Sequence, residues 1–287
     1  MFAIFKRELR SYFQTPIGFL FMGLFLLLTG IFFAFGNLFA GRSEYMGFLG
    51  NVLFIFLFAV PLLTMRLFSE EKRQKTDQLL LTSPVSVPAI VCGKFFAALA
   101  VYCATLLVTV AYAVVIAVHG DLQAWETLGS YIGFIFLGAS YISVGLLISA
   151  VTENQLAAAL LTFFALMIIW MLDPLAQAIP SSTQAGVISA LVLLGCLVLF
   201  LFLNTRNWVI ALGTAVLGAL VIWLFYFFNR GVFFGFIQNF MGWFSLNRRY
   251  ESFSVGLLRI DSLLYYVSFS GLFLFLTVRL IEKRRWN

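Results

Sequence analysis

Three observations predict an all-α integral membrane protein of about eight transmembrane helices. Of the 287 residues, 62% are apolar and only 10% charged, where a soluble domain carries about 25% charge. The apolar residues fall in long runs almost free of charge, and a run of about 20 is what an α-helix needs to cross a bilayer core of about 30 Å. The 18 Lys and Arg residues outnumber the 12 Asp and Glu and gather between the runs, which is how cationic side chains set membrane topology. The positive excess is therefore a topology signal, and no nucleic-acid partner is expected. Cys92, Cys103 and Cys196 are odd in number, form no CxxC pair and stand in apolar surroundings. Neither a disulfide framework nor a metal site is expected from them.

The chain opens with an amphipathic stretch, 1–16. Phe2, Phe5, Leu9 and Phe13 recur at helical spacing while Lys6, Arg7 and Arg10 fill the other side. The pattern suits an interfacial helix in the cytoplasmic headgroup layer, and Pro16 marks a break before the first span. A charged opening ahead of so long an apolar run leads us to expect no cleaved signal peptide. Spans are expected at 17–39, 47–67, 89–118, 127–151, 156–172, 186–203, 208–228 and 263–280. Eight spans put both termini on one side. With that side cytoplasmic, 13 of the 18 basic residues lie inside and Arg42, Arg230, Arg248, Arg249 and Arg259 lie outside, in keeping with the positive-inside rule. Small residues inside the spans, such as Gly145 with Ser149, are read as close helix packing.

The segment 229–262 between the last two spans is not a plain polar loop, because 232–246 is rich in Phe and Trp. As a helix that stretch would rise roughly 22 Å, too short to cross. An interfacial or re-entrant extracytoplasmic element is expected, with Trp243, Phe244 and Tyr250 in the aromatic belt. It either packs at the outer mouth of a pathway or lies against lipid.

No ionisable residue stands near the middle of a span. Glu153, Asp173 and Asp261 fall at span ends and His119, the single histidine, in a short outer connection, which disfavours an ion-driven carrier. HExxH, GxSxG and GxxxxGK[ST] are absent, and Gly93-Lys94 has Pro88 where the first glycine of a phosphate loop would stand. No catalytic residue and no ATP site is expected in the chain. A membrane-embedded lipid enzyme would need a polar cluster near one face, and none stands out.

The densest charge lies between the second and third spans, over 66–94. Glu70, Glu71, Lys72 and Arg73 are followed by Leu79, Leu80 and Leu81 and closed by Pro84. This reads as the second span continuing past the membrane as a helix, then a turn and a short return helix. Such a knob suits a soluble partner; a solvated loop with anchoring charges fits the same residues.

Several stretches carry a family resemblance: Ser-Glu-Glu-Lys at 69–72, Leu-Leu-Leu-Thr-Ser-Pro at 79–84, Gly-Lys at 93–94, the opening Phe-Lys-Arg-Glu-Leu-Arg-Ser-Tyr-Phe-Gln-Thr-Pro-Ile-Gly at 5–18, Val-Thr-Glu-Asn-Gln at 151–155, and Arg-Tyr-Glu-Ser-Phe-Ser-Val-Gly at 249–256. The chain resembles the permeases of ABC-2-type transporters, and within them is most similar to the gliding-motility-type (GldF-like) permease subunit. It departs from that pattern at Lys75, Thr76 and Gln78, where the family usually has Gly-Thr followed by a glutamate two residues on. The family typically has six spans, so 186–228 reads as an added hairpin on a six-helix core.

The resemblance implies a single transmembrane permease domain over 1–287, in a bacterial cytoplasmic (inner) membrane with both termini cytoplasmic. It implies two permease chains, alike or related, on two cytosolic ABC ATPase subunits that carry the ATP and Mg, with no cofactor in this chain. An extracytoplasmic accessory subunit is a further implied partner. In the coupling element, 68–94, Glu70, Glu71, Lys72 and Arg73 would contact the ATPase, Leu79, Leu80 and Leu81 would fill its groove, and Pro84 would fix the turn. Glu153, Asn154 and Gln155 would form a second contact. Phe5, Lys6, Arg7 and Arg10 would hold the N-terminal helix at the lipid bilayer. Transport, with export as its direction, is the function implied; a mechanotransmission or scaffold subunit that drives an envelope partner is the alternative.

Overall fold

The computed structural model describes residues 1–41, 48–76, 85–120 and 122–286, and no strand occurs among the described residues. In chain order the elements are α1 (Phe2–Gln14), α2 (Pro16–Phe33) prolonged by a π-helical turn (Ala34–Leu38), α3 (Phe48–Asn51), a 3-10 turn (Leu53–Ile55), α4 (Phe56–Thr64) and α5 (Ser69–Arg73). Then come α6 (Val87–His119), α7 (Ala124–Val151), α8 (Gln155–Ala178), α9 (Thr183–Thr205) and α10 (Trp208–Phe228). A 3-10 turn (Arg230–Phe233) leads into α11 (Phe236–Phe244), α12 (Leu246–Ser254) and α13 (Ile260–Trp286). Among the described residues, eight helical segments, from Pro16–Leu38 to Ile260–Arg284, are long and apolar enough to cross a membrane. The expected all-α architecture and span number therefore hold.

The chain divides into two compact units, Met1–Trp170 with Leu246–Asn287, and Met171–Ser245. In the first unit α7 is the central helix, packed by α4, α6, α12 and α13. The small residues on α7 do what their spacing predicts: a Cβ added at Gly145 would stand 2.2 Å from the Thr64 hydroxyl, so only glycine lets α4 approach this closely. Further along α7 an aromatic cluster fills the core, with Phe56 and Phe134 ring centroids 4.7 Å apart. Two of its phenols are satisfied by neighbouring groups, Tyr102 donating to the Phe134 carbonyl at 2.9 Å and Tyr141 to Asn247 at 2.8 Å.

The 232–246 stretch holds the end of a 3-10 turn and α11, whose Phe240, Trp243 and Phe244 are exposed. The chain breaks at Ser245, giving α11 to the second unit and α12 to the first. Tyr250, expected in an aromatic belt, is 2% exposed. It packs edge-on against Phe134 at 6.1 Å, because the buried side of α12 carries Leu246, Tyr250 and Phe253 at helical spacing.

In the second unit α9 and α10 form the hairpin expected over 186–228. Ser182 caps α9 by accepting from the Ala185 amide at 3.2 Å, and Asn207 caps α10 by accepting from Val209 at 2.9 Å. Arg206 between them takes φ +50, the left-handed turn that ends α9. Gln238 donates to the Ile179 carbonyl at 2.6 Å and Ser245 donates to Asp173, which tie α11 and its end to the start of the unit.

Candidate functional site

The second span does not run on as one unbroken helix. It stops at Thr64 and restarts at Ser69, and the turn between them leaves backbone groups that need partners elsewhere. Two other elements supply them. Tyr12 on α1 donates its hydroxyl to the Leu63 carbonyl at 2.6 Å. Ser149 on α7 accepts from the Phe68 and Ser69 amides at 3.0 and 3.3 Å and donates to the Met65 carbonyl at 3.2 Å. Ser149 is thus an N-cap supplied to α5 from another helix. Within α5's own span, Ser69 also donates to the Met65 carbonyl.

A four-member charge cluster closes over this joint. Arg7 lies 2.6 Å from Glu8 and 2.7 Å from Glu71, and Lys94 lies 3.1 Å from Glu8 and 3.0 Å from Glu71. Two cations and two carboxylates alternate, joining α1, α5 and α6. Arg66 extends the network, donating to Thr15 at 2.6 Å and Ser11 at 2.5 Å, with Glu70 at 3.8 Å and the Tyr12 ring beneath its guanidinium. The phenyl ring of Phe68 lies 5.1 Å from the Lys94 ammonium.

The cluster shifts Glu8 and Arg7 in opposite directions. Burial works to raise the Glu8 carboxyl, but Lys94 and Arg7 outweigh it and hold the group below the usual carboxylate range. Burial works to lower Arg7, and Glu8 with Glu71 outweighs that. Burial pushes the Tyr12 phenol far up against the pull of Arg66, so its hydroxyl stays a donor.

The end of α7 is capped by charge as well. Lys72 donates to the Ala150 carbonyl, and Arg284 on α13 donates to the Val151 carbonyl at 3.2 Å. Cations placed on the last carbonyls of a helix meet both its free acceptors and the negative end of its dipole.

The face that α1 turns inward differs from the one its apolar stripe suggests. Ile4, Glu8 and Tyr12, each four residues apart, face the fold, whereas Phe2 and Phe13 are exposed. Gly93 makes room for this: a Cβ there would stand 3.0 Å from the Ile4 Cγ2 methyl and 3.3 Å from the Met1 carbonyl. The Gly-Lys pair at 93–94 therefore has a structural reason, since Gly93 admits α1 and Lys94 holds it.

Of the residues singled out from sequence, Glu71 and Lys72 turn inward to the cluster and to α7, and Glu70 is half-buried beside Arg66. Arg73 is exposed. Leu79, Leu80, Leu81 and Pro84 lie outside the described residues. Glu153 and Asn154 are exposed, and Asn154 caps α8 by accepting from the Leu156 amide at 2.9 Å, with Gln155 opening that helix. Phe5 is half-buried and Lys6, Arg7 and Arg10 are exposed, but only Arg7 enters the cluster. Sequence reading missed Glu8, Tyr12, Arg66, Lys94 and Ser149 as members of one site. Glu8 carried a signal, being the only acid in α1 and in register with Ile4 and Tyr12.

Chemically the site offers paired charges and hydrogen-bonded hydroxyls that hold α1, α5, α6 and α7 together. A separate groove of about 540 Å³ between α6 and α7 is lined by apolar side chains such as Leu106, Val110, Val114, Leu128 and Ile135. Among the described residues, no group of three or more His, Cys, Asp or Glu stands together as a metal site.

A family model described as ABC-2 family transporter protein matches residues 37–184. That is just over half of the chain, and it takes in the joint of the second span, Lys94 and Ser149. It does not single out the gliding-motility-type branch. No curated protein matches the chain. The members of this family are the membrane component of ABC transporters, distinct from the ATPase that works with them. The chain is a multi-pass membrane protein that belongs to the ABC-2 transporter family, the permease subunit that partners an ABC ATPase.

Proposed function

We propose that the chain is the permease of an ATP-driven exporter, in which two such chains stand on two cytosolic ATPase subunits and the 66–94 segment receives their stroke. One observation carries the reading: α5 is tied to three other helices at once. Glu71 reaches Arg7 on α1 and Lys94 on α6, while Ser149 and the Ala150 carbonyl of α7 hold Ser69 and Lys72. A push on a loosely hung loop would be lost in the loop. A push on α5 would carry α1, α6 and α7 with it, and packed helices shift between discrete arrangements instead of deforming continuously. The basic residues at this end, among them Lys6, Arg10, Arg73, Lys94 and Arg284, favour the cytoplasmic side for it and for both termini. A bacterial inner membrane and a GldF-like branch follow from the sequence resemblance.

Because Glu71 and Lys72 are engaged internally, the outward contacts to the ATPase fall to Arg73, Glu153 and the Leu79–Leu81 and Pro84 stretch. The test is copurification of the chain with its ATPase, followed by ATP hydrolysis in reconstituted vesicles. Arg73→Glu combined with Glu153→Arg is expected to reduce ATPase retention and stimulated hydrolysis, with the permease itself as stable as before. Unchanged assembly and turnover would remove the docking assignment. ATP-dependent loading of inside-out vesicles separates an exporter from a scaffold.

A further inference from the structure

The helix α1 has three faces. Ile4, Glu8 and Tyr12 meet the fold. A second face is apolar and bare: Phe2 is 76% exposed and Phe13 43%. It continues into the first turn of α2 through exposed Phe19 and Leu20. The third face carries Lys6, Arg7 and Arg10. These three cations look equivalent in sequence and are not equivalent in the structure. Arg7 is spent on Glu8 and Glu71, whereas among the described residues Lys6 and Arg10 have no carboxylate within ion-pair distance.

Lys6 and Arg10 are four residues apart, one helical turn, so their heads lie on one side of the helix within reach of a single phosphate. An apolar strip beside a cationic strip matches the layering of a membrane surface, with rings in the acyl boundary and long cationic side chains reaching up to the phosphates. An acidic protein surface would satisfy the two cations but leave Phe2 and Phe13 in water. We propose that Lys6 and Arg10 form a headgroup site for an anionic phospholipid, with Phe2 and Phe13 in the acyl layer and Arg7 excluded from it. The lipid then anchors the same helix that Arg7 ties to α5 and Glu8 ties to α6, so membrane charge bears on the coupling joint. The site rests on α1 lying at the membrane and is independent of which ATPase the chain serves.

The probe is the purified full chain in phosphatidylcholine vesicles containing a minority of phosphatidylglycerol. After gentle extraction, the lipid retained by the protein is measured by mass spectrometry. The wild-type chain is expected to retain phosphatidylglycerol above its bulk fraction at low salt and to lose the enrichment at high salt. Removing each charge should lower relative retention about fivefold, so Lys6→Gln with Arg10→Gln abolishes most of it. Lys6→Arg with Arg10→Lys keeps it, and Arg7→Gln lowers it less than Lys6→Gln or Arg10→Gln alone. Equal retention in the Lys6→Gln/Arg10→Gln chain overturns the site, as does an equal loss in Arg7→Gln. If that double variant retains the lipid but releases the ATPase in detergent, the face belongs to the protein partner and the lipid assignment is wrong. Because retention is read on the chain alone, the outcome is separable from the exporter reading.

Discussion

The ammonium of Lys94 sits 3.0 Å from a carboxylate oxygen of Glu71, and the two belong to different spans. Lys94 is 1% exposed, so its ammonium is met by Glu8, Glu71 and the Phe68 ring in place of water. Taking one partner from a buried pair strands the other, which costs about 3–5 kcal/mol. Lys94→Met should therefore lower stability by about 3 kcal/mol, the bottom of that range, because Arg7 still faces both carboxylates. Thermal unfolding in detergent measures it. A variant that also replaces Glu8 and Glu71 with Gln should recover part of the loss, since no bare charge is then left inside.

The Glu8 carboxyl is held below its ordinary range, and the sign of the pH effect follows. A group whose folded value is depressed binds fewer protons in the folded chain than in the unfolded one, so it stabilises the fold above the ordinary carboxylate range. That contribution drains away as pH falls through the depressed folded value. The groups facing it are Arg7 and Lys94, with Glu71 sharing both cations. Glu8→Gln is expected to be less stable than wild type at neutral pH and to converge with it in acid. Parallel melting curves for the two chains across the whole acid range would contradict the assignment.

The span number was legible because bilayer crossing leaves a coarse mark, about 20 apolar residues in a row, that no local detail can hide. The joint was not legible in the same way. Its members come from four helices, and Glu8, Lys94 and Ser149 acquire meaning only when α1, α6 and α7 meet at α5. The hydrophobic stripe of α1 leaves Phe2 and Phe13 exposed, and an apolar stripe says nothing of which polar residue faces protein. Ile4 and Tyr12 held that information in their spacing with Glu8. Tyr250 misled because an aromatic residue gives the same signal on an interfacial helix and on a buried face; on α12 it falls in register with buried Leu246 and Phe253.

The break after Thr64 predicts its own pair of variants. Ser149→Ala leaves the Phe68 and Ser69 amides without their cap, and loss of a cap costs about 1 kcal/mol. Tyr12→Phe leaves the Leu63 carbonyl unpaired in a buried site, which costs about 1–3 kcal/mol. The hydroxyls act on opposite sides of one turn, so the double variant should cost more than the sum if the turn opens as a unit. A double-mutant cycle on unfolding free energy checks this, and strict additivity would mean that the turn is held elsewhere.

Gly93 offers the sharpest steric test, because it decides how closely α1 can lie on α6. In Gly93→Ala the new Cβ would meet the Ile4 Cγ2 methyl at 3.0 Å, and that methyl can give way by a small shift. Gly93→Val adds branches toward the Met1 carbonyl as well, so α1 must lift. Overpacking of this kind costs about 1–3 kcal/mol. The lift also separates Glu8 from Lys94, and hydrogen exchange over residues 2–14 should therefore quicken while the rest of the first unit keeps its protection. Ile4→Ala is destabilising by itself, yet placed together with Gly93→Val it removes the clashing side chain and should restore part of the slow exchange in α1. If Ile4→Ala deepens the defect instead, α1 is seated by contacts other than Ile4 on Gly93.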